Sequence, residues 1–321
     1  MTDVAALGEL LIDFTPVPGA VPPAFTPNPG GAPANVLTAV VKLGGSGEFL
    51  GKVGDDRFGH LLKDTLDAQG VGSSGLLLDP RFHTTLAFVH LDEKGDRSFS
   101  FYRTQGADTQ LTPEELPLAL IAGCRIFHFG SLTLTDGPSR SATLKALDYA
   151  RAQGKTISCD PNWRPLLWDS PARYVAELKP LLPLCHLVKA SEEELALITG
   201  EQDTAAGAKA LLALGVQVLV ITMGPAGCTV FTGEGSRHLP TYDVKVVDTT
   251  GSGDAFWGAF LSRIAASGQA PAALSLDTLS AFADFANAAG SLCATRYGAI
   301  PAMPSAAEIQ ACQSTCNKLE L

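Results

Sequence analysis

Val244-Lys-Val-Val-Asp-Thr-Thr-Gly-Ser-Gly-Asp-Ala-Phe-Trp-Gly-Ala-Phe260 is the most informative stretch of the 321-residue chain. It reads as a strand-like run ending at Asp248, a turn with glycines at 251 and 253, and a helix carrying Phe256, Phe260 and Ile264 on one face. Strand, glycine turn and helix in that order form the unit of an α/β sheet. Upstream, Arg125 to Phe129, Thr156 to Cys159, His186 to Val188 and Val218 to Thr222 are short apolar runs separated by helical stretches. That alternation predicts a mostly parallel central sheet flanked by helices. Residues 4 to 13 predict a buried strand with Asp13 at its edge, and the turn Gly30-Gly-Ala-Pro33 leads into a helix over 34–43. A second helix over 58–69 stops at Gly70. Thr84 to Leu91 and Ser98 to Tyr102, around the turn Asp92-Glu-Lys-Gly-Asp96, predict a hairpin outside the main sheet. In parallel sheets ligands bind beyond the carboxyl ends of the strands, which singles out Ser131, Asp160, Lys189 and Gly224.

Gly251 and Gly253 leave the backbone N–H groups of residues 251 to 253, Ser252 included, uncovered at a helix N-terminus. Together with the positive end of the helix dipole they form an anion hole suited to a transferring phosphoryl group. Asp254, in the first helical turn, is placed to accept a proton from a hydroxyl, and base plus anion hole is what phosphoryl transfer to an alcohol requires. An Asp at this position can simply cap the helix; the flanking glycines and the preceding Asp-Thr-Thr favour the catalytic role. The formal G-x-G-x-x-G at Gly70, Gly72 and Gly75 follows a helix and precedes the apolar run 76–78, the reverse of a dinucleotide fingerprint, and there is no Walker A loop.

Composition narrows the class. Hydrophobic residues make up 46% of the chain, enough for a large core, and the net charge of −10 with no Lys/Arg run argues against a nucleic-acid partner. No apolar run approaches a membrane span and no leader is apparent, so a cytoplasmic protein with no membrane partner is expected. Seven irregularly spaced cysteines fit reduced, buried thiols, and six scattered histidines form no transition-metal motif.

At these residues the chain resembles the ribokinase/PfkB family of carbohydrate kinases over nearly its whole length. The resemblance rests on Gly30-Gly-Ala-Pro-Ala-Asn35, Gly51-Lys-Val-Gly-Asp-Asp-Arg-Phe-Gly59 and the D-T-x-G-[AS]-G-D pattern at 248–254. It implies one ribokinase-like α/β domain over 1–321, with a small β-sheet lid contributed by about 13–30 and 84–106, which often forms a dimer contact and so implies a homodimer. It implies Asp254 as base, Gly251, Ser252 and Gly253 as anion hole, and ATP with Mg²⁺ as donor. Asp13, Gly30, Gly31 and Asn35 look like sugar ligands. Lys189, Glu194, Thr222, Gly224, Gly227 and Asn287 fall on the nucleotide side, with Glu194 acting on Mg²⁺ through water. The family's N-x-x-E element is here Ser191-x-x-Glu194. A K⁺ loop is implied at Asp248, Thr250, Cys293, Arg296 and Gly298, largely through backbone carbonyls, with Ala302 where ribokinases often have Ser.

Within the family, Ser98-Phe-Ser-Phe-Tyr-Arg103, Ala107-Asp108, Asp160-Pro-Asn-Trp-Arg164 and Leu167-Trp168 look most like fructokinases, with Phe101, Arg103 and Arg164 facing the sugar. Surface ion pairing is the plain alternative for the two arginines. Kinases of 2-keto-3-deoxygluconate share the Tyr-Arg and D-x-N-x-R elements, since either arginine could clamp a carboxylate, and a riboside kinase is a further reading. A sugar-binding regulator without chemistry is the alternative from another class; an intact Asp254 and glycine loop speak against it.

Overall fold

Strands with parallel neighbours need both faces covered, and residues 4–7 meet that need by alternation. Val4 and Ala6 enter one core cluster, Ala5 and Leu7 the other, and all four are fully buried. A computed structural model of the chain describes residues 1–17, 19–91 and 97–320. Its strands are β1 (Thr2–Leu7), β2 (Leu11–Pro16), β3 (Phe25–Gly30), β4 (Gly47–Gly54), β5 (Gly72–Asp79), β6 (Leu86–Leu91) and β7 (Arg97–Tyr102). There follow β8 (Cys124–Gly130), β9 (Thr156–Asp160), β10 (Leu187–Ser191), β11 (Val218–Thr222), β12 (Cys228–Thr232) and β13 (Gly235–Leu239). Among the described residues nine strands form one sheet in the order β13-β12-β11-β10-β9-β8-β1-β4-β5, parallel except at the β11-β12-β13 edge. The other four form a second sheet, β3-β2-β6-β7.

Helices α1 (Ala32–Lys42) and α2 (Arg57–Gln69) cover one face of the large sheet. Helices α3 (Leu118–Gly123), α4 (Gly137–Ala152), α5 (Pro171–Leu178), α6 (Glu192–Thr199) and α7 (Thr204–Ala213) cover the other. Helices α8 (Ser252–Ser267), α9 (Leu276–Cys293) and α10 (Ala306–Thr315) return to the first face. No described helix is long and apolar enough to cross a membrane. The turn at 92–96 lies outside the described residues.

Two local expectations need correcting. The single strand over 4–13 is two: β1 ends at Leu7, and β2 belongs to the second sheet, so Asp13 lies inside β2 rather than at the edge of a strand running from residue 4. The break falls at Gly8-Glu9, where the Glu9 carboxylate is buried and takes the Ala32 N–H at 2.9 Å. The run 244–247 is not a strand. Val246 and Val247 are exposed, and the N–H groups of Val247 and Asp248 go to the Ala294 carbonyl at the end of α9. Its β-branched residues gave a pattern that helix-end pairing overrode.

Candidate active site

The site begins with how closely α1 and α8 approach. A β-carbon on Gly258 would sit 2.5 Å from the Val36 carbonyl, so only glycine permits this crossing. Trp257 anchors the same helix from below, fully buried, stacked on Phe260 at 5.2 Å and donating its indole N–H to Ser158 at 3.0 Å. The crossing brings Asn35 of α1 to Asp254 of α8, where the amide donates to the carboxylate at 2.8 Å.

Asp254 lies in the first turn of α8 behind the Gly251 N-cap. Burial among protein atoms pushes its carboxyl up to about 6, against the opposing pull of Lys189 and Asn35. Asp13 is likewise raised to about 6, chiefly by burial, with Asp254 adding to the rise and Arg164 opposing it. Arg164 acts on both carboxyls, and the Asp254 charge reaches Asp13. Gly30 lies against Asp13, its β-position 2.3 Å from the carboxylate. Gly31, at φ +124°, passes so near the Glu9 carbonyl that a β-carbon would stand 2.4 Å from it. Arg164 is exposed, donates to the Trp163 carbonyl at 3.1 Å, and lowers the pKa of both Asp13 and Asp254.

Lys189, in the middle of β10, approaches the glycine turn; a β-carbon on Gly253 would be 3.4 Å from its ammonium. It is ion-paired with buried Asp160. Burial disfavours its charge, but Asp160, Glu194 and Asp254 outweigh this and raise its pKa. The other oxygen of Asp160 is buried without a hydrogen-bond partner. The expected trio of free N–H groups is not complete, because the Ser252 N–H turns back to the Thr249 carbonyl at 3.2 Å, as a tight turn before a helix does. The arrangement therefore offers the Gly251 and Gly253 backbone, an ammonium beside it and a fixed carboxylate in one place, which is equipment for moving a proton next to an anion.

Other expected residues are committed elsewhere. Arg103 is buried and spends its guanidinium on Asp108 and Thr135 (both 2.7 Å) and the Leu132 carbonyl (2.9 Å), so it does not present a free fork to a sugar. Phe101 and Arg103 instead help line a cavity of about 480 Å³ with Leu166, Leu167 and Arg173. Both oxygens of Glu194 accept backbone N–H groups, from Trp163 at 2.6 Å and Ser191 at 2.7 Å. Asn287 ties α9 to the Leu239 and Pro240 carbonyls at 3.1 and 3.4 Å, while Gly224 and Gly227 shape the turn between β11 and β12, and Thr222 bonds back to Ala190 at 3.4 Å.

In the loop after residue 247, one oxygen of Asp248 takes the Thr250 N–H and hydroxyl at 2.9 and 2.7 Å, and the other takes the Gly298 N–H at 3.1 Å. The Cys293 thiol points at the Thr250 carbonyl at 3.6 Å, and the Arg296 side chain turns away to Glu308. One important residue escaped the sequence reading: Glu9, buried and pushed up to about 7 by that burial. Its only sequence signal was an acid inside an apolar run.

The family model described as pfkB family carbohydrate kinase matches residues 1–306. The chain belongs to the pfkB family of carbohydrate kinases. It is similar to Fructokinase-2 of Zea mays, 41% identical over 96% of this chain and 92% of that one. Among solved structures it resembles the fructokinase of Xylella fastidiosa with bound ATP at a TM-score of 0.88, with 35% identity over 98% of both chains. It also resembles the Vibrio cholerae O395 fructokinase in its fructose-, ADP- and calcium-bound form, at a TM-score of 0.89, with 34% identity over 97% of this chain and 99% of that one. The family match spans the glycine turn and the first turn of α8, residues 248–254 included.

Proposed function

We propose that this pfkB-family chain is a fructokinase, moving the terminal phosphoryl of ATP to the 6-hydroxyl of D-fructose. The observation that carries the reading is Asp254, fixed by Asn35 in the first turn of α8 behind the Gly251 N-cap. In this reading Asp254 takes the proton of the attacking hydroxyl. The N–H groups of Gly251 and Gly253 and the Lys189 ammonium stabilise the charge on the phosphoryl oxygens, and the Ser252 N–H joins them on release from the Thr249 carbonyl. Asp13, Gly30, Gly31, Asn35 and Arg164 orient the sugar, and the Gly224–Gly227 turn with Asn287 shapes the nucleotide side. Fructokinases among the relatives and the bound fructose of the Vibrio structure support the choice of sugar.

Among the described residues there is no cluster of three or more His, Cys, Asp or Glu able to hold a metal. The residues fit a Mg²⁺ carried in by the nucleotide and met by Glu194 only through water, since both Glu194 oxygens already accept backbone N–H groups. When bound, Mg²⁺ supplies charge neutralisation between phosphates. The loop formed by Asp248, Thr250, Cys293 and Gly298 fits a monovalent cation: its carboxylate fixes the backbone, and carbonyl oxygens are suitable hard ligands. Arg296 contributes backbone only.

The reading treats residues 1–321 as one domain whose four-stranded sheet is a lid. Phe14, Phe25, Phe88 and Tyr102 form an aromatic cluster on that sheet, with Phe14 and Phe88 stacked at 4.7 Å and Tyr102 exposed over 68% of its surface. Such a patch suits contact with a second copy of the chain. Sedimentation velocity is expected to give a dimer that Tyr102→Glu weakens; a monomeric wild type would remove the inference. For the activity itself, coupled ADP release with MgATP compares D-fructose, 2-keto-3-deoxygluconate, D-ribose and no sugar. Turnover with fructose well above the rest is expected. Turnover with the keto acid alone would keep the chemistry and replace the acceptor.

A further inference from the structure

The four strands of the smaller sheet join the body of the protein at four points, and a buried polar side chain or its partner stands at each. Glu9 lies just before β2 and Ala32 just after β3; Thr85 immediately precedes β6 and Arg103 immediately follows β7. The Glu9 carboxylate takes the Ala32 N–H at 2.9 Å, tying the first pair of roots together. Asp108 ties the second pair, taking the Thr85 hydroxyl at 2.5 Å on one oxygen and the Arg103 Nε–H at 2.7 Å on the other. The charges of Arg103 and Asp108 both reach Glu9. The Thr85 carbonyl also accepts the Ile12 N–H at 3.1 Å, joining β2 to the second tie.

We propose that Glu9, Thr85, Arg103 and Asp108 form a buried collar that sets the angle of the lid over the glycine loop, making Arg103 a positioning residue rather than a sugar ligand. All four are at least nine-tenths buried, at 2%, 1%, 9% and 3% exposure, so they act on the acceptor through the backbone they hold. The collar is built at the residues that must rotate if the sheet moves, and its partners are charged or hydroxyl groups whose geometry is directional. Glu9 holds Ala32 directly beside Gly31, so the lid roots and the acceptor loop share one frame.

The inference rests on the kinase reading, and its test separates the two. Thr85→Val removes one hydroxyl with little change of shape, avoiding the unpaired buried charge that replacing Arg103 or Asp108 would leave. In this variant the KM for fructose is expected to rise about tenfold, with kcat and nucleotide affinity nearly unchanged, and Thr85→Ser should restore the wild-type value. Hydrogen exchange should quicken in β2, β3, β6 and β7 while β8 to β11 stay protected, a readout that needs no substrate. Unchanged fructose KM and unchanged lid exchange in Thr85→Val overturn the collar. So does an equal loss of nucleotide affinity, which would mark general damage. A wild type inactive on fructose would instead overturn the choice of acceptor, leaving the exchange result to judge the collar.

Discussion

Asp254→Asn is expected to lower kcat on fructose by ~10²-fold or more while nucleotide affinity stays within a few-fold of wild type. The amide matches the carboxylate in shape and can still accept the Asn35 N–H, so geometry is kept and only the proton acceptor is lost. Asp254 and Asp13 both have pKa values raised to about 6, so the wild-type rate should fall as pH drops through that region. The sign for stability is the opposite of the usual carboxylate case. A carboxyl whose pKa is raised on folding binds its proton more tightly in the folded chain. Its stabilising contribution is full below the unfolded value near 4 and is lost as pH rises through about 6. At pH 8, Asp254→Asn should therefore melt no lower than wild type, and thermal unfolding beside the rate assay reads both effects. A variant with near-normal turnover would take the base role away from Asp254.

Gly31→Ala is expected to damage acceptor binding more than any conservative change in the lid. Residue 31 stands at φ +124°, a region that costs other residues ~1–3 kcal/mol, and its β-carbon would come 2.4 Å from the Glu9 carbonyl, so the backbone itself has to move. That movement displaces Gly30 from Asp13 and Ala32 from Glu9 together. The fructose KM should rise by at least ~tenfold and the melting temperature should fall, with nucleotide affinity preserved. Gly44→Ala serves as control, since Gly44 also has positive φ, at +88°, but nothing lies within 4 Å of its β-position. If both variants lose stability alike and bind fructose alike, the close approach at Gly31 has no role in the site.

How far the site could be read from the sequence depended on range. Asp254 and its glycines are neighbours along the chain, so turn chemistry and helix polarity were enough to find them. The parallel core was equally legible, because strands such as Thr156–Asp160 and Val218–Thr222 are short apolar runs between helical stretches. The β12–β13 hairpin went unread, and the valines at 244–247 suggested a strand where the chain instead pairs with the end of α9. Arg103 shows the harder limit. Its side chain was expected to face the sugar, yet Asp108 and Thr135 claim it, and nothing local in the sequence records that a residue 32 positions away supplies an acceptor. Glu9 is the same lesson reversed, a charge hidden in an apolar run because its partner is the backbone of residue 32.

The central claim is best tested by the product that the wild-type chain makes from D-fructose and MgATP. Phosphorus NMR, followed by treatment with phosphoglucose isomerase, identifies the ester. The account predicts fructose 6-phosphate in step with ADP and convertible to glucose 6-phosphate; fructose 1-phosphate, or ADP released without any sugar ester, would contradict it.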